Sequence, residues 1–313
     1  MTVALDDWLG VMEREYTGSF IPEGGGAVRI VVAPPDLLDR ASARLRAQAA
    51  HAGLSVIGID VAQTKLHMLQ NLFFAIAAAL PWPAMLQTRV EGLLIDGGYR
   101  WPTPGHRVGL AALADANEIA VQLLRRDLAH WLTTSVWHDA RLAQDFRSAM
   151  IALLEAQLTG ESEPLRDAVF EWLRGDLKAM ARVKPAHIGA RIDRHNARAT
   201  LMSLCHWVRD CGQGGMLVLL DIRRLHVPKA AATEGLYYSP AAVMDCYEVL
   251  RQVIDDAEHF PGLFLVALAE PAALTAESPR AIGKYTALQM RVVDDVRPHG
   301  RDNPLAPLVR VAA

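Results

Sequence analysis

The sequence is poor in cysteine and has no long apolar run. Its three cysteines, Cys205, Cys211 and Cys246, are too few and odd in number for a disulfide framework. The first residues include early acids, so no secretory leader is expected. The longest apolar stretch, residues 72–86, is interrupted by two prolines and is shorter than the ~20 residues that cross a bilayer. We therefore expect a cytoplasmic protein with no membrane partner.

Neither sign of charge dominates the sequence. Lysine and arginine together number 32 and the acids 35, so the formal charge is −3 at pH 7, and 51% of the 313 residues are hydrophobic. This composition excludes a disordered chain and makes no general case for a nucleic-acid binder, although a local basic patch is compatible with it. Cys205, His206 and Cys211 lack the spacing of a zinc site, so we predict no bound metal.

Short apolar runs alternate with helical patterns at both ends of the sequence. The runs that predict buried strands are residues 27–33, 54–60, 216–221, 262–269 and 308–311. The patterns that predict the intervening helices are residues 36–52, 195–211, 240–257 and 284–293. Such alternation is typical of a mostly parallel sheet flanked by helices, with right-handed crossovers.

The middle of the sequence lacks strand patterns. Its spacing favours helices over residues 66–80, 107–134, 139–158 and 163–180. We therefore predict an α/β core whose first part is residues 1–62 and whose second part is residues 186–313, with a helical insertion over residues 63–185.

Two segments can be compared with a P-loop NTPase. Such enzymes carry the loop G-x-x-x-x-G-K-[ST] after their first strand and a Mg²⁺-binding acid at the end of a later strand. Asp221 ends the apolar run MLVLLD and fits the second role. The loop position is occupied by residues 33–40, which read APPDLLDR. The residues at its four defining positions are Ala33, Leu38, Asp39 and Arg40.

These replacements remove the chemistry of a phosphate loop. Pro34 and Pro35 have no N–H group to donate. Aspartate in place of lysine changes attraction into repulsion, on the order of 4 kcal/mol for a close pair at an effective dielectric constant of ~20. Ile222 follows Asp221 where many such ATPases carry a water-positioning glutamate, and isoleucine cannot polarise water. Both halves of an ATPase site are therefore altered. We predict no catalytic residue beyond the acid Asp221 and no bound cofactor, and the residues leave open whether the chain is an enzyme; if it is one, it is an ATPase.

Two arginine groups are further candidate sites. Arg191, Arg194 and Arg198 have a spacing that places them on one helix face, where they would contact phosphate, nucleic acid or a neighbouring subunit. The alternative is a solvated face of ion pairs. Arg223 and Arg224 lie just beyond Asp221 at the end of the same strand, and they could pair with it and close an empty site. The alternative is again solvated charge.

Six stretches outside the helical insertion carry a resemblance to a known family. They are FIPEGGGAVRIVVA (20–33), LSVIGIDVA (54–62), RIDRHNARATLMSLCHWVRDCGQGGMLVLLD (191–221), YEVLRQVIDDAEHFPGLFLVALAEPAAL (247–274), PRAIGKYTALQMRV (279–292) and NPLAPLVRV (303–311). With them the chain resembles the ATP-binding P-loop proteins of the BREX phage-defence systems, a family of AAA-like ATPases. The resemblance implies a P-loop sheet with helices on both faces, ATP binding and a role beside DNA-modifying partners. Of the family's catalytic positions, only Asp221 matches.

The sequence therefore predicts a degenerate P-loop protein that serves as a structural or regulatory subunit of a phage-defence or DNA-processing assembly. Its expected partners are proteins, as a homo- or hetero-oligomer, including an intact P-loop relative, with nucleic acid reached through those partners. One alternative is an active ATPase with an unusual loop, in which ATP and Mg²⁺ bind and Asp221 holds the metal. A second alternative is a nucleic-acid-binding module that uses the arginine face.

Overall fold

The strands predicted from the sequence lie in one parallel sheet. The computed structural model describes residues 2–103, 108–160, 163–229, 234–292 and 303–313. The strands in this part of the chain are β1 (Val3–Ala4), β2 (Ala27–Val32), β3 (Ser55–Asp60), β4 (Met216–Asp221), β5 (Leu263–Ala269) and β6 (Leu308–Ala312). Their order is β1-β6-β2-β5-β4-β3, and each neighbouring pair is parallel. The predicted α/β class is confirmed.

Helices cover both faces of this sheet. The helices of the sheet unit are α1 (Leu5–Val11, continued as a π-helical segment to Phe20), α2 (Pro35–His51), α3 (Leu69–Ala79), α10 (Pro240–Asp255) and α11 (Thr286–Val292). Helices α1 and α2 share a buried apolar cluster with alternate residues of the sheet, such as Val31, Leu219 and Val266. On the other face α3 contacts β3, and α10 contacts β2 and α3.

The order of the strands places a crevice at one edge of the sheet. The chain leaves β2 through α2 and reaches β3 at the far edge, and it then returns through β4 and β5 to β6 on the other side of β2. The connections that follow β2 and β5 therefore run to opposite faces of the sheet. Parallel sheets bind ligands outside the carboxyl ends of strands at such a switch point.

The middle of the chain forms a second, all-helical unit in its described residues. Its helices are α4 (Trp82–Asp96), α5 (Leu110–Ala116), α6 (Val121–Leu132), α7 (Gln144–Thr159), α8 (Glu163–Arg174) and α9 (Ala197–Asp210). Helix α7 is the most central of them. Its side chains Phe146, Met150 and Leu153 are fully buried, and it contacts α4 and α8.

The boundaries of the two units differ from the predicted ones. One unit comprises residues 1–79 and 213–313, and the other comprises residues 80–212, whereas the sequence predicted an insertion over residues 63–185. Helix α3 belongs to the sheet unit because it packs on β3. Helix α9 belongs to the helical unit, in which the Ser203 hydroxyl accepts the Ala143 amide at 2.8 Å.

Some helices also differ from the predicted ones. Helix α4 is absent from the prediction because Pro81 and Pro83 suggested a break, yet these prolines lie at the start of the helix, where a missing N–H costs nothing. The helix predicted over 107–134 is two helices, and its first residue lies outside the described residues. Among the described helices, no single one is long and apolar enough to span a membrane; α3 and α4 meet that test only as a bent pair.

Candidate functional site at the carboxyl edge of the sheet

The structure brings the turn after β2 and the end of β4 to the same edge of the sheet. Val32 at the end of β2 is in register with Ala269 of β5, while Asp221 is in register with Leu268 of β5 and with Asp60 of β3. Residues 33–40 and Asp221, which correspond in position to the phosphate loop and the Mg²⁺-binding acid of a P-loop NTPase, therefore lie at the same end of the sheet. We call this set of strand ends the carboxyl edge.

The turn between β2 and α2 has few backbone amides to offer a ligand. The Ala33 amide donates to the Ala269 carbonyl at 3.1 Å, and the Leu37 and Leu38 amides both donate to the Pro34 carbonyl at 3.1 Å. Pro34 and Pro35 have no N–H group. The Asp36 amide is the remaining one between residues 33 and 38, and the exposed Asp36 side chain adds a negative charge beside it.

The side chains of this turn are divided between the core and the solvent. Ala33 and Leu38 are 2% and 0% exposed and pack in the apolar cluster below α2. Asp39 and Arg40 are exposed. The residues in place of the two glycines thus anchor the helix in the core, because a buried leucine contributes roughly 1.5–3 kcal/mol through its removal from water.

One arginine connects the two segments. The Arg223 Nη2 and Nε atoms donate to the Asp221 carboxylate at 2.6 and 2.9 Å, and its Nη1 atom donates to Asp39 Oδ1 at 3.1 Å. The Arg223 amide also donates to Asp221 Oδ1 at 3.0 Å. Both oxygens of the Asp221 carboxylate therefore accept hydrogen bonds from Arg223. This is one of the two pairings that we considered from the sequence. The hydrogen bond to Asp221 raises the pKa of the Arg223 guanidinium well above its usual value.

The rest of the carboxyl edge is mostly acidic. Asp60 ends β3 and accepts the Ala62 amide at 2.7 Å, and Glu270 follows β5 directly. With Asp36, Asp39 and Asp221, five acidic residues lie at or just after these strand ends. Arg310 of β6, in register with Val32, lies at the same edge. Asp36 and Asp39, in the turn where a phosphate loop would lie, would repel an anion that approached it.

Ile222 and Arg224, on either side of Arg223, are both held by the fold. Ile222 is fully buried. Arg224 donates from Nε to the Leu236 carbonyl at 2.8 Å and from Nη2 to the Glu234 carbonyl, so it holds its own loop and not Asp221. Of the two arginines proposed to pair with Asp221, Arg223 does so.

His226 is a buried titratable group just beyond this arginine pair. Its Nε2 atom lies 3.4 Å from the Tyr247 hydroxyl, which donates to the Arg280 carbonyl at 2.8 Å. Burial, together with the positive charge of Arg280, lowers the pKa of His226 to about 4. His226 is therefore neutral at physiological pH, and its imidazole packs as part of the fold.

The other predicted arginines do not share a helix face. Helix α9 begins at Ala197, so only Arg198 lies in it. Residues 191–196 form a turn because Asp193 accepts the His195 amide and Asn196 accepts the Asp193 amide, both at 2.8 Å, and such side-chain bonds compete with helix. Arg191 donates to the carbonyls of residues 177 and 178. The predicted helical arrangement is wrong.

Asp60 at the carboxyl edge and His226 just beyond it are not among the residues predicted from the sequence. Asp60 ends the second buried run, LSVIGID, as Asp221 ends MLVLLD, so the signal was present. His226 had no local signal, because its burial depends on α10 and on residue 280. Among the described residues, no group of three or more His, Cys, Asp or Glu side chains could hold a metal ion.

A known protein family matches the second part of the chain. The family model for the BREX system ATP-binding protein BrxC/D matches residues 125–313. The chain belongs to this BrxC/D family. No curated protein and no solved structure matches it.

In this BrxC/D family member, the match covers the strands β4, β5 and β6 and the acid Asp221, but not β2 or residues 33–40. The family is an ATP-binding family of a phage-defence system, and the parallel sheet is consistent with a P-loop-like fold. The carboxyl edge thus has two halves. The β4 half, with Asp221, lies within the family match, and the β2 half, with residues 33–40, lies outside it.

Proposed function

We propose that this BrxC/D family member is a structural or regulatory subunit of a BREX assembly whose nucleotide site is closed by an internal ion pair. The observation that carries this proposal is the bridge from Arg223 to Asp221 and Asp39. It connects the acid that would bind Mg²⁺ with the position at which a P-loop lysine would contact phosphate.

The residues present do not fit ATP and Mg²⁺, the ligands that the family implies. A triphosphate needs several backbone N–H groups and a lysine, and residues 33–38 offer one amide beside the acid Asp36. Mg²⁺ needs a carboxylate oxygen, and both oxygens of Asp221 accept hydrogen bonds from Arg223. Because Arg223 already neutralises Asp221, the site gains little from a cation.

The bridge also gives a reason for the subunit role. It joins the start of α2 to the end of β4 without a ligand. In this proposal the carboxyl edge therefore does not need nucleotide to bring its two halves together. A subunit of this kind would present a constant surface to its partners. We propose that these partners include an intact P-loop relative, which would supply the ATP hydrolysis of the assembly.

Phosphate release is the experiment that tests this proposal. We expect the purified chain, given 1–5 mM ATP (roughly the range in which a weak site of millimolar Kd would be occupied) and Mg²⁺, to release phosphate at the rate of the buffer alone. The Asp221→Asn variant should give the same rate. Release by the wild-type chain that disappears in Asp221→Asn would contradict the proposal and favour the active ATPase instead.

A further inference from the structure

A cavity of about 680 Å³ opens at the carboxyl ends of β2 and β6. Its lining comes from the turn after β2, from the short helical turn Pro271–Leu274 after β5, and from the end of β6. Because the connections that follow β2 and β5 run to opposite faces of the sheet, the cavity lies in the crevice at the switch point, where parallel sheets bind ligands. All of its lining residues belong to the sheet unit. We call it the β2–β6 cavity.

Most of the lining of the β2–β6 cavity is apolar. The side chains that favour an apolar ligand are Val32, Ala33, Pro34, Leu37, Leu274 and Val311. Of these, Val32, Leu37 and Val311 are almost fully buried, so the fold fixes their positions. Sites for small molecules have volumes of roughly 300–1,000 Å³ and are lined mainly by apolar side chains. The β2–β6 cavity fits this description, and its volume exceeds what a single amino acid fills.

Two side chains of opposite charge line the same cavity. Asp36 lies in the first turn of α2, and Arg310 lies in β6. Arg310 is in register with Val32, so its Cα atom lies about 5 Å from the end of β2, and Asp36 follows Val32 four residues later. Both side chains are exposed to solvent. The strand register and the turn after β2 therefore bring a cation and an acid to one apolar cavity.

The fold leaves these two charges without partners. Among the described residues, neither the Asp36 nor the Arg310 side chain forms a hydrogen bond or an ion pair, and the two do not pair with each other. The neighbouring acid Asp39, by contrast, pairs with Arg223 at 3.1 Å. Asp36 repels a simple anion, and Arg310 repels a simple cation. A molecule that carries both charges satisfies both side chains, and such charge-assisted hydrogen bonds are stronger than neutral ones.

From these observations we infer that the β2–β6 cavity binds a short peptide with apolar side chains and free ends. The Arg310 guanidinium donates to the terminal carboxylate, the terminal ammonium donates to the Asp36 carboxylate, and the peptide side chains contact the apolar lining. A peptide of two or three residues suits the volume of the cavity better than one amino acid does. This inference goes beyond the proposed function, because it concerns the β2 and β6 side of the crevice and not the Arg223 bridge.

Isothermal titration of the full chain with the tripeptide leucyl-alanyl-leucine tests this inference. We expect saturable binding with a Kd on the order of 10–100 µM, in keeping with the affinity per atom of ligands of this size. The peptide seryl-glycyl-serine carries the same terminal charges but has no apolar side chain. It should bind at least ~10-fold more weakly, because it cannot remove the apolar lining from water in the same way.

Two charge-neutralising variants assign the two ends of the peptide. With the wild-type chain, amidation of the peptide carboxylate or acetylation of its amine should each weaken binding at least ~10-fold. With Arg310→Gln, the amidated and the free peptide should bind equally, and with Asp36→Asn, the acetylated and the free peptide should bind equally. The matched controls Arg14→Gln and Asp7→Asn replace exposed charges that do not line the cavity, and they should keep both wild-type preferences.

Several results would overturn the inference. They are no binding at about 1 mM peptide, equal affinity for the free tripeptide and one capped at both ends, and displacement of the peptide by ATP at about 5 mM. Equal affinity for the capped peptide would favour an internal segment of a protein partner as the ligand. Phosphate release from ATP with an unchanged peptide titration would contradict the proposed function alone and leave this inference standing. Circular dichroism of each variant confirms that these exposed substitutions leave the fold intact.

Discussion

The two halves of the carboxyl edge have the same scaffold and different chemistry. The end of β4 lies within the BrxC/D match and keeps its acid, Asp221, whereas the turn between β2 and α2 lies outside the match and has neither the glycines nor the lysine of a phosphate loop. Both halves belong to strands of one parallel sheet, in which β5 lies between β2 and β4. A sheet of buried strands can therefore form even where the turn after one of its strands lacks the residues that bind phosphate.

The difference follows from what each half needs to fold. Helix α2 is anchored by Leu37 and Leu38, which a glycine-rich loop could not provide. Its start is preset by Pro35, which lies in the first turn, where proline is tolerated. The resulting turn is apolar toward the core and acidic toward the solvent. Arg223 compensates part of that acidity by pairing with Asp39 as well as Asp221.

The largest effect should come from the scaffold that both halves share. Phe264 of β5 is fully buried and stacks on Tyr16 with ring centroids 5.2 Å apart. Phe264→Ala should lower the free energy of unfolding by about 3–5 kcal/mol through the cavity it leaves. Urea denaturation measures this loss, and Met290→Ala, at a side chain that is 70% exposed, is the control. A loss below ~1 kcal/mol would show that the two halves do not depend on this sheet.

The next effect is a pH dependence of the β4 half. The pKa of His226 is about 4 in the folded protein and near 6.5 when unfolded, so the unfolded state binds the proton more readily. Stability should be constant above pH 6.5 and should fall by on the order of 2 kcal/mol as the pH falls through 6.5 toward 4. His226→Gln should flatten this part of the curve. The pKa of Glu248, lowered to about 2 chiefly by Arg251, acts only below pH 4.5.

A smaller effect should come from the bridge between the halves. Arg223→Ala leaves Asp221 and Asp39 without their shared partner and should cost about 1–2 kcal/mol of unfolding free energy, since these charged hydrogen bonds are partly buried. The matched control is Arg40→Ala, an exposed arginine next to Asp39 in α2, with an expected change within about 0.5 kcal/mol. Equal losses in the two variants would mean that the bridge does not form in solution.

The smallest effect should distinguish the two acids that Arg223 connects. The Asp221 side chain is 23% exposed and that of Asp39 is 68% exposed. Asp39→Asn should therefore change the unfolding free energy by no more than about 0.5 kcal/mol, and Asp221→Asn should cost about 1 kcal/mol or more. A double-mutant cycle with Arg223→Ala assigns each coupling. If the coupling energy of Arg223 with Asp39 exceeded that with Asp221, the turn after β2 and not the end of β4 would be the main partner of Arg223.

The sequence predicted the sheet better than it predicted the sites. Buried strands such as β4 and β5 are continuous apolar runs, and their alternation with helices dictates a parallel sheet. The pairing of Arg223 with Asp221 was foreseen because the two residues are neighbours in sequence, but its second contact with Asp39 spans 184 residues and depends on the strand order. The prediction that Arg191, Arg194 and Arg198 share a helix face is wrong, because the side chains of Asp193 and Asn196 form a turn before the helix begins.

Isothermal titration of the chain with ATP, with and without Mg²⁺, tests the central claim most directly. If Arg223 occupies Asp221 and the turn after β2 offers no cradle, no heat of binding should appear up to about 1 mM nucleotide, a limit of roughly −4 kcal/mol in affinity. Arg223→Ala should not create binding, because the acids and prolines of the turn remain. Saturable binding below 100 µM, roughly −5.5 kcal/mol, that requires Mg²⁺ and is lost in Asp221→Asn would contradict the account.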